Sequence, residues 1–190
     1  MSLTLVFGGA RSGKSALAER LALASGKEVT YVATASATAH AGDAEMAARI
    51  AQHQQRRPPH WQTVEEATAL AATLRRLRRP DRIVLVDCLT LWLSNLMFST
   101  HVDYPEVGPI DLTPLFTTER AALLALLEEP AAGEIIFVSN EVGMGIVPYG
   151  AVSRAYADEA GRLNQDVAAR CDRVLFVAAG LPLALKGPSC

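Results

Sequence analysis

Leu3-Thr4-Leu5-Val6-Phe7-Gly8-Gly9-Ala10-Arg11-Ser12-Gly13-Lys14-Ser15 decides the reading of this chain. Five residues of strand character lead into Gly8–Ser15, a full match to G-x-x-x-x-G-K-[ST], and a helical pattern over Lys14–Ala24 follows. A glycine-rich turn between strand and helix lets backbone N–H groups converge on phosphate oxygens, and the helix N-terminus adds partial positive charge. In that setting Gly8, Gly9, Ala10, Arg11, Ser12 and Gly13 form the cradle. Lys14 reaches the β- and γ-phosphates, and the Ser15 hydroxyl ligates Mg²⁺. The alternative is a glycine-rich turn that binds nothing, and the flanking strand and helix weigh against it. The stretch reads as a nucleoside triphosphate site.

Outward from it, short β-branched runs alternate with helical periods, the pattern of a parallel sheet with helices packed on it. Strands are expected at Leu3–Phe7, Glu28–Thr34, Arg82–Asp87, Glu134–Ser139 and Arg173–Ala178. Continuous apolar runs such as Ile83-Val84-Leu85-Val86 predict strands buried on both faces. Helices are expected at Lys14–Ala24, Asp43–Arg56, Glu66–Leu77, Thr113–Leu127 and Ser153–Cys171, with an irregular insertion over Ser99–Asp111. The expected fold is α/β: one P-loop NTPase domain over residues 1–190, with a RecA-like, mostly parallel sheet and helices on both faces.

The 190 residues suit one domain, and a hydrophobic half gives a substantial core. A net charge of -2 makes no electrostatic case for nucleic acid. Cys88, Cys171 and Cys190 are odd in number and lack metal-binding spacing, which favours a reducing compartment. No basic leader precedes the short N-terminal apolar run, and no stretch is long enough to span a membrane. A cytoplasmic protein is expected.

A second oxygen ligand is needed beside a P-loop. Ile83-Val84-Leu85-Val86-Asp87 has the form of a Walker B strand, so Asp87 is the candidate Mg²⁺ ligand, with a turn cap as its other reading. Glu45, Arg49 and His53 share one stripe of the Asp43–Arg56 helix. Spacing alone favours a solvated surface histidine at His53, with a phosphate contact as the sharper alternative. His40, His60 and His101 have no comparable neighbourhood. Asn140-Glu141 should lie at the carboxyl edge of the sheet, where binding of a substrate hydroxyl or a metal weighs equally with simple turn capping. Arg75, Arg76, Arg78, Arg79 and Arg82 read as a solvated face near a helix C-terminus. Trp92 reads as packing or a subunit contact, Trp61 as a pin for the loop beyond His53, and Cys88 as a small buried residue.

Several ordered motifs together resemble one family. They are Gly8–Ser15; Tyr31-Val32-Ala33-Thr34-Ala35; Glu45-Met46 through Arg49-Ile50 to His53; Arg57-Pro58 with Trp61; Asp87-Cys88-Leu89-Thr90 with Leu96; Asn140-Glu141-Val142-Gly143-Met144-Gly145-Ile146-Val147-Pro148; and Arg154, Asp158, Ala160-Gly161 and Asn164-Gln165. The family is the bifunctional adenosylcobinamide kinase / adenosylcobinamide-phosphate guanylyltransferase of cobalamin biosynthesis. The resemblance implies phosphoryl transfer from ATP or GTP to the aminopropanol hydroxyl of adenosylcobinamide. GMP transfer from GTP would then pass through a guanylylated histidine, which falls on His53. It also implies GTP contacts at Gly8–Ser15, Ala33, Thr34, Ala35, Gln54, Gln55, Arg56, Arg57, Glu65 and Asp87, and a homotrimer. A neutral imidazole is a competent nucleophile at phosphorus, and nearby cations would offset charge in each transition state. Glu45 would orient that imidazole or simply pair with Arg49 on the surface, the commoner outcome. Two other readings remain open: a P-loop small-molecule kinase without a covalent intermediate, and a non-catalytic RecA-like nucleotide switch.

Overall fold

The computed structural model describes residues 2–35, 51, 57–100, 104–130 and 132–188. Apart from Ala51, the helix expected over Asp43–Arg56 lies outside them, and so do His40, His53, His101 and Cys190. In chain order the elements are β1 (Ser2–Gly8), α1 (Lys14–Ala24), β2 (Glu28–Ala33), β3 (Gln62–Glu65), α2 (Leu70–Leu77) and β4 (Arg82–Asp87). They continue with α3 (Leu89–Met97), α4 (Pro114–Glu128), β5 (Glu134–Asn140), α5 (Ala151–Arg170), β6 (Arg173–Ala178) and β7 (Leu181–Lys186).

The strands form one sheet in the order β3-β2-β4-β5-β1-β6-β7. Every pairing is parallel except β6 with β7. β5 therefore lies between the P-loop strand β1 and the strand ending in Asp87. In register, Gly8 stands opposite Asn140, and Ala33 opposite both Glu65 and Asp87. The carboxyl ends of the parallel strands thus share one edge of the sheet, where ligands of open α/β folds gather.

The continuous apolar strands are divided by the two-residue period of the pleat. Leu3, Leu5, Val84, Val86, Ile135 and Phe137 face a core shared with α2, α3, α4 and α5. Val6, Ile83, Leu85, Ile136 and Val138 face the opposite core, where Leu17, Ala18 and Ala22 of α1 pack with Tyr31 and Trp61. Helices cover both faces, as the α/β pattern requires.

Three elements depart from the sequence reading. β3 is a four-residue edge strand whose only large apolar side chain is Val64, too short and polar to show a strand pattern. β7 contains Pro182, which an edge strand tolerates because its outer side needs no N–H donor. α3 is only nine residues long and follows β4 almost directly, with the stripe of Leu89, Trp92, Leu93, Leu96 and Met97 inside the core. Trp92 is packing, with its indole N–H donating to Thr68 O at 2.7 Å. The helix expected from Glu66 begins at Leu70, because the Glu66 carboxylate accepts from Thr68 N and Ala69 N at 3.0 and 2.8 Å and holds the preceding turn. The described residues of the Ser99–Asp111 insertion, 99–100 and 104–111, have no helix or strand, as expected.

Arg75, Arg76 and Arg79 are exposed, as expected of a solvated face, but Arg78 is half-buried and Arg82 buried. Arg75 and Arg78 converge on Glu129 at 2.6 and 2.7 Å, and the buried Arg82 reaches Glu28 at 2.6 Å, tying α2 and β4 to their neighbours. Among the described residues, no helix is long and apolar enough to cross a membrane.

Candidate nucleotide site at the carboxyl edge of the sheet

The cradle forms because its backbone takes conformations that glycine supplies most readily. Gly13 has φ 96° and Arg11, the only non-glycine of the loop in the left-handed region, φ 56°. Gly8 is required for space: a Cβ there would stand 2.2 Å from Val177 O. The turn between β6 and β7 braces the loop through a Gly180 N–H bond to Ser12 O at 2.8 Å. α1 starts with no side-chain cap and no acid in its first turn, leaving its N–H groups and dipole available to an anion. Ser12 Oγ is buried without a hydrogen-bond partner among the described residues. An orphaned donor in a ring of backbone N–H groups suits a phosphate oxygen. Lys14 is buried in the cradle, its amine donating to Gly9 O at 3.1 Å. Burial lowers its pKa from the usual lysine value, while Cys88 and Asp87 oppose that shift.

Asp87 ends β4 one strand from Tyr31, whose phenol donates to Asp87 Oδ2 at 2.9 Å. Burial, and then the charge of Asp87, push the Tyr31 phenol well above its ordinary pKa, while Arg57 pulls it down. The Arg57 guanidinium stacks 3.5 Å from the centre of the Tyr31 ring. Arg57 also lines a cavity of about 420 Å³ with Pro58, Pro59, Trp61, Thr63 and Glu65, a volume in the range of small-ligand sites. Trp61 belongs to the core behind this cavity and so anchors the segment after His53, as expected.

Ala33-Thr34-Ala35 leaves the end of β2. Thr34 is fully buried, and its hydroxyl donates to Cys88 O and accepts from Cys88 N, both at 2.8 Å. Its polar atoms are thus engaged in fixing the turn after Asp87. The Asp87–Cys88 peptide is cis. Burial raises the pKa of the Cys88 thiol, in keeping with a packing residue rather than a nucleophile. Asn140 donates to Thr90 Oγ1 at 2.6 Å, and Glu141 accepts from Gly143 N at 2.6 Å, so both hold turns at this edge.

The Ser15 hydroxyl and the Asp87 carboxylate are hard oxygen donors of the kind Mg²⁺ takes. No cluster of three or more His, Cys, Asp or Glu residues able to hold a metal exists among the described residues. Mg²⁺ satisfied by one carboxylate, a hydroxyl and nucleotide phosphates fits this donor set. Of the expected site residues, Gly8–Ser15, Ala33–Ala35, Arg57, Glu65 and Asp87 all lie on this edge; Gln54, Gln55 and Arg56 are outside the described residues, like His53. Sequence reasoning gave no role to Tyr31, which joins Arg57 to Asp87. The only signal for it was its place in the Tyr31–Ala35 motif.

A mostly parallel sheet, a P-loop between its first strand and helix, and an acidic strand end on the same edge define a P-loop nucleotide-binding α/β protein. A model of the cobinamide kinase / cobinamide phosphate guanyltransferase family matches residues 4–185, and the chain belongs to that family. It is 55% identical over 183 residues to the bifunctional adenosylcobalamin biosynthesis protein CobP of Pseudomonas aeruginosa, covering 96% of each chain. It is 38% identical over 186 residues to the bifunctional adenosylcobalamin biosynthesis protein CobU of Escherichia coli, covering 97% of this chain and 99% of that one. Among solved structures, it resembles a prototypical ATPase from the type III secretion system of pathogenic bacteria. That likeness, with TM-score 0.55 and 12% identity over 96% of this chain and 56% of that one, is one of fold.

Proposed function

We propose that this chain, acting as one domain over residues 1–190, carries out two transfers on a corrinoid. In the first, the hydroxyl oxygen of the adenosylcobinamide arm attacks the γ-phosphorus of ATP or GTP. The bond to the β,γ-bridging oxygen breaks, the nucleoside diphosphate leaves and the hydroxyl proton is lost. In the second, His53 attacks the α-phosphorus of GTP and releases pyrophosphate. A phosphate oxygen of adenosylcobinamide phosphate then attacks the guanylyl phosphorus and frees His53, giving adenosylcobinamide-GDP.

The family supports both transfers, and the arrangement of this edge supports the division of labour among residues. Gly8, Gly9, Ala10, Arg11, Ser12 and Gly13 cradle the phosphates. Lys14, buried beside Asp87, is placed to neutralise charge that builds on them. Ser15 and Asp87 would hold Mg²⁺, which would supply charge neutralisation at the phosphates. Ala33, Thr34 and Ala35 shape the wall of the site, since the Thr34 hydroxyl is already engaged. Gln54, Gln55, Arg56 and Arg57 follow the nucleophile and meet GTP. Glu65, exposed beside the Arg57 cavity, offers a carboxylate that accepts from the N–H donors of guanine, which adenine lacks in that arrangement.

The single observation that carries the reading is the chain of contacts from Arg57 through Tyr31 to Asp87, which joins the segment after His53 to the P-loop edge. A cytoplasmic homotrimer completes the proposal. Its support is the free thiols of Cys88 and Cys171 and the exposed leucines 181, 183 and 185 along edge strand β7. The test is the pair of activities in His53→Ala, which should keep phosphorylation and lose GMP transfer. Loss of both in a folded protein would overturn the division.

A further inference from the structure

We propose that the loop 142–149 is the resting surface for the corrin macrocycle of the acceptor while its hydroxyl arm reaches the nucleotide. This rests on reading the P-loop edge as the place of transfer. The loop exposes Met144 by 77%, Ile146 by 97%, Val147 by 75% and Tyr149 by 76%, with Val142 at 40%. Surface loops are ordinarily polar, and so dense an exposed apolar set marks a binding surface.

The loop is tethered at both ends. At its root, Glu141 N donates to Gly8 O at 2.9 Å, so it springs from the strand end beside the phosphate cradle. At its far end, Arg154 holds the carbonyls of Pro148 and Tyr149, and Ala151 N donates to Glu106 O at 3.0 Å. That last bond brings in the irregular segment after residue 104, where Val107 is also exposed. The backbone is therefore fixed while the apolar side chains stay bare.

Position and chemistry select the occupant. Met144 stands four residues beyond Asn140, hence within ~14 Å of it, and Asn140 is in register with Gly8. A ligand on this loop thus lies within an arm's length of the cradle. The cavity lined by Arg57 and Glu65 opens at β3, on the other side of β4 from the loop after β5. The loop after β5 therefore stands next to the P-loop strand β1, two strands from the edge pair that carries the cavity. The acceptor of a cobinamide kinase is a broad macrocycle with apolar faces and one hydroxyl arm, which suits a bare apolar surface next to a phosphate site. A charged nucleotide does not.

The test uses the full chain carrying Met144→Ser with Ile146→Ser, both exposed enough to leave folding intact. Cobinamide binding is followed by equilibrium dialysis, read from the visible absorbance of the corrin. Protein labelling from α-labelled GTP without corrinoid and the sedimentation coefficient are measured in parallel. We expect cobinamide binding and its KM to weaken at least ~10-fold, with the other two readouts unchanged. Unchanged cobinamide binding would overturn the proposal, and a shift to smaller particles would assign the surface to contact between copies. Failure of GTP labelling in the unsubstituted protein would instead sink the transferase reading, and the dialysis would still decide the loop.

Discussion

The phenol of Tyr31 donates a 2.9 Å hydrogen bond to Asp87 Oδ2 across the β2–β4 pair, and the same ring carries the Arg57 guanidinium at 3.5 Å. One buried side chain therefore connects two parts of the edge that lie far apart in sequence. Tyr31→Phe keeps the ring and its stacking but leaves the carboxylate without that donor. The loss should be about 1.5–3 kcal/mol in urea unfolding, the usual worth of a hydrogen bond to a charged group. An unchanged midpoint would show that the bond contributes nothing net.

Lys14 sits buried within the cradle at a cost in solvation that Asp87 and the Gly9 carbonyl offset only in part. Lys14→Met, similar in size and uncharged, should leave the fold at least as stable while lowering phosphoryl transfer ~100-fold or more. Thermal unfolding and a kinase assay on the same preparation separate these effects. An undiminished rate in the Lys14→Met variant would contradict the role given to the amine.

Gly8 and Gly9 are adjacent but have different constraints. A Cβ at Gly8 would meet Val177 O at 2.2 Å, whereas at Gly9 nothing lies within 4 Å. Gly8→Ala should therefore cost about 1–3 kcal/mol and disturb GTP binding, while Gly9→Ala should unfold like the unsubstituted protein. Equal midpoints for the two variants would refute this account of the β1–β6 contact.

Cys171 is buried, and that burial pushes its thiol pKa up to about 12 from 9.0. The unfolded chain therefore gives up a proton above pH 9 that the folded chain keeps, so stability falls as pH rises from about 9 towards 12. Between pH 9 and 10.5 this single group removes about 1–2 kcal/mol, a loss that Cys171→Ala should not show. At pH 8, Cys171 in the native protein should resist thiol reagents that modify it after unfolding, and its modification in the folded protein would contradict this burial.

The P-loop and the central strands were legible because their signals are local. A glycine pattern between strand and helix, and unbroken apolar runs such as Ile83–Val86, need no knowledge of the rest of the chain. α3 escaped because it is short and follows β4 almost directly, and β7 because Pro182 disguises an edge strand. Arg82 read as solvated because its partner Glu28 is brought close only by the β2–β4 register. The Tyr31–Asp87 bond was hidden for the same reason: its partners are 56 positions apart, and only the strand order makes them neighbours. His53 came from the resemblance, since its spacing alone favoured a surface residue.

The most direct test of the whole account is to incubate the protein with Mg²⁺ and either α- or γ-labelled GTP, then denature it at alkaline pH. Label from the α-position only, removed by acid and missing in His53→Ala, is the predicted result. A folded, kinase-active protein that retains no α-label would contradict the guanylyl-histidine and leave a simple P-loop kinase.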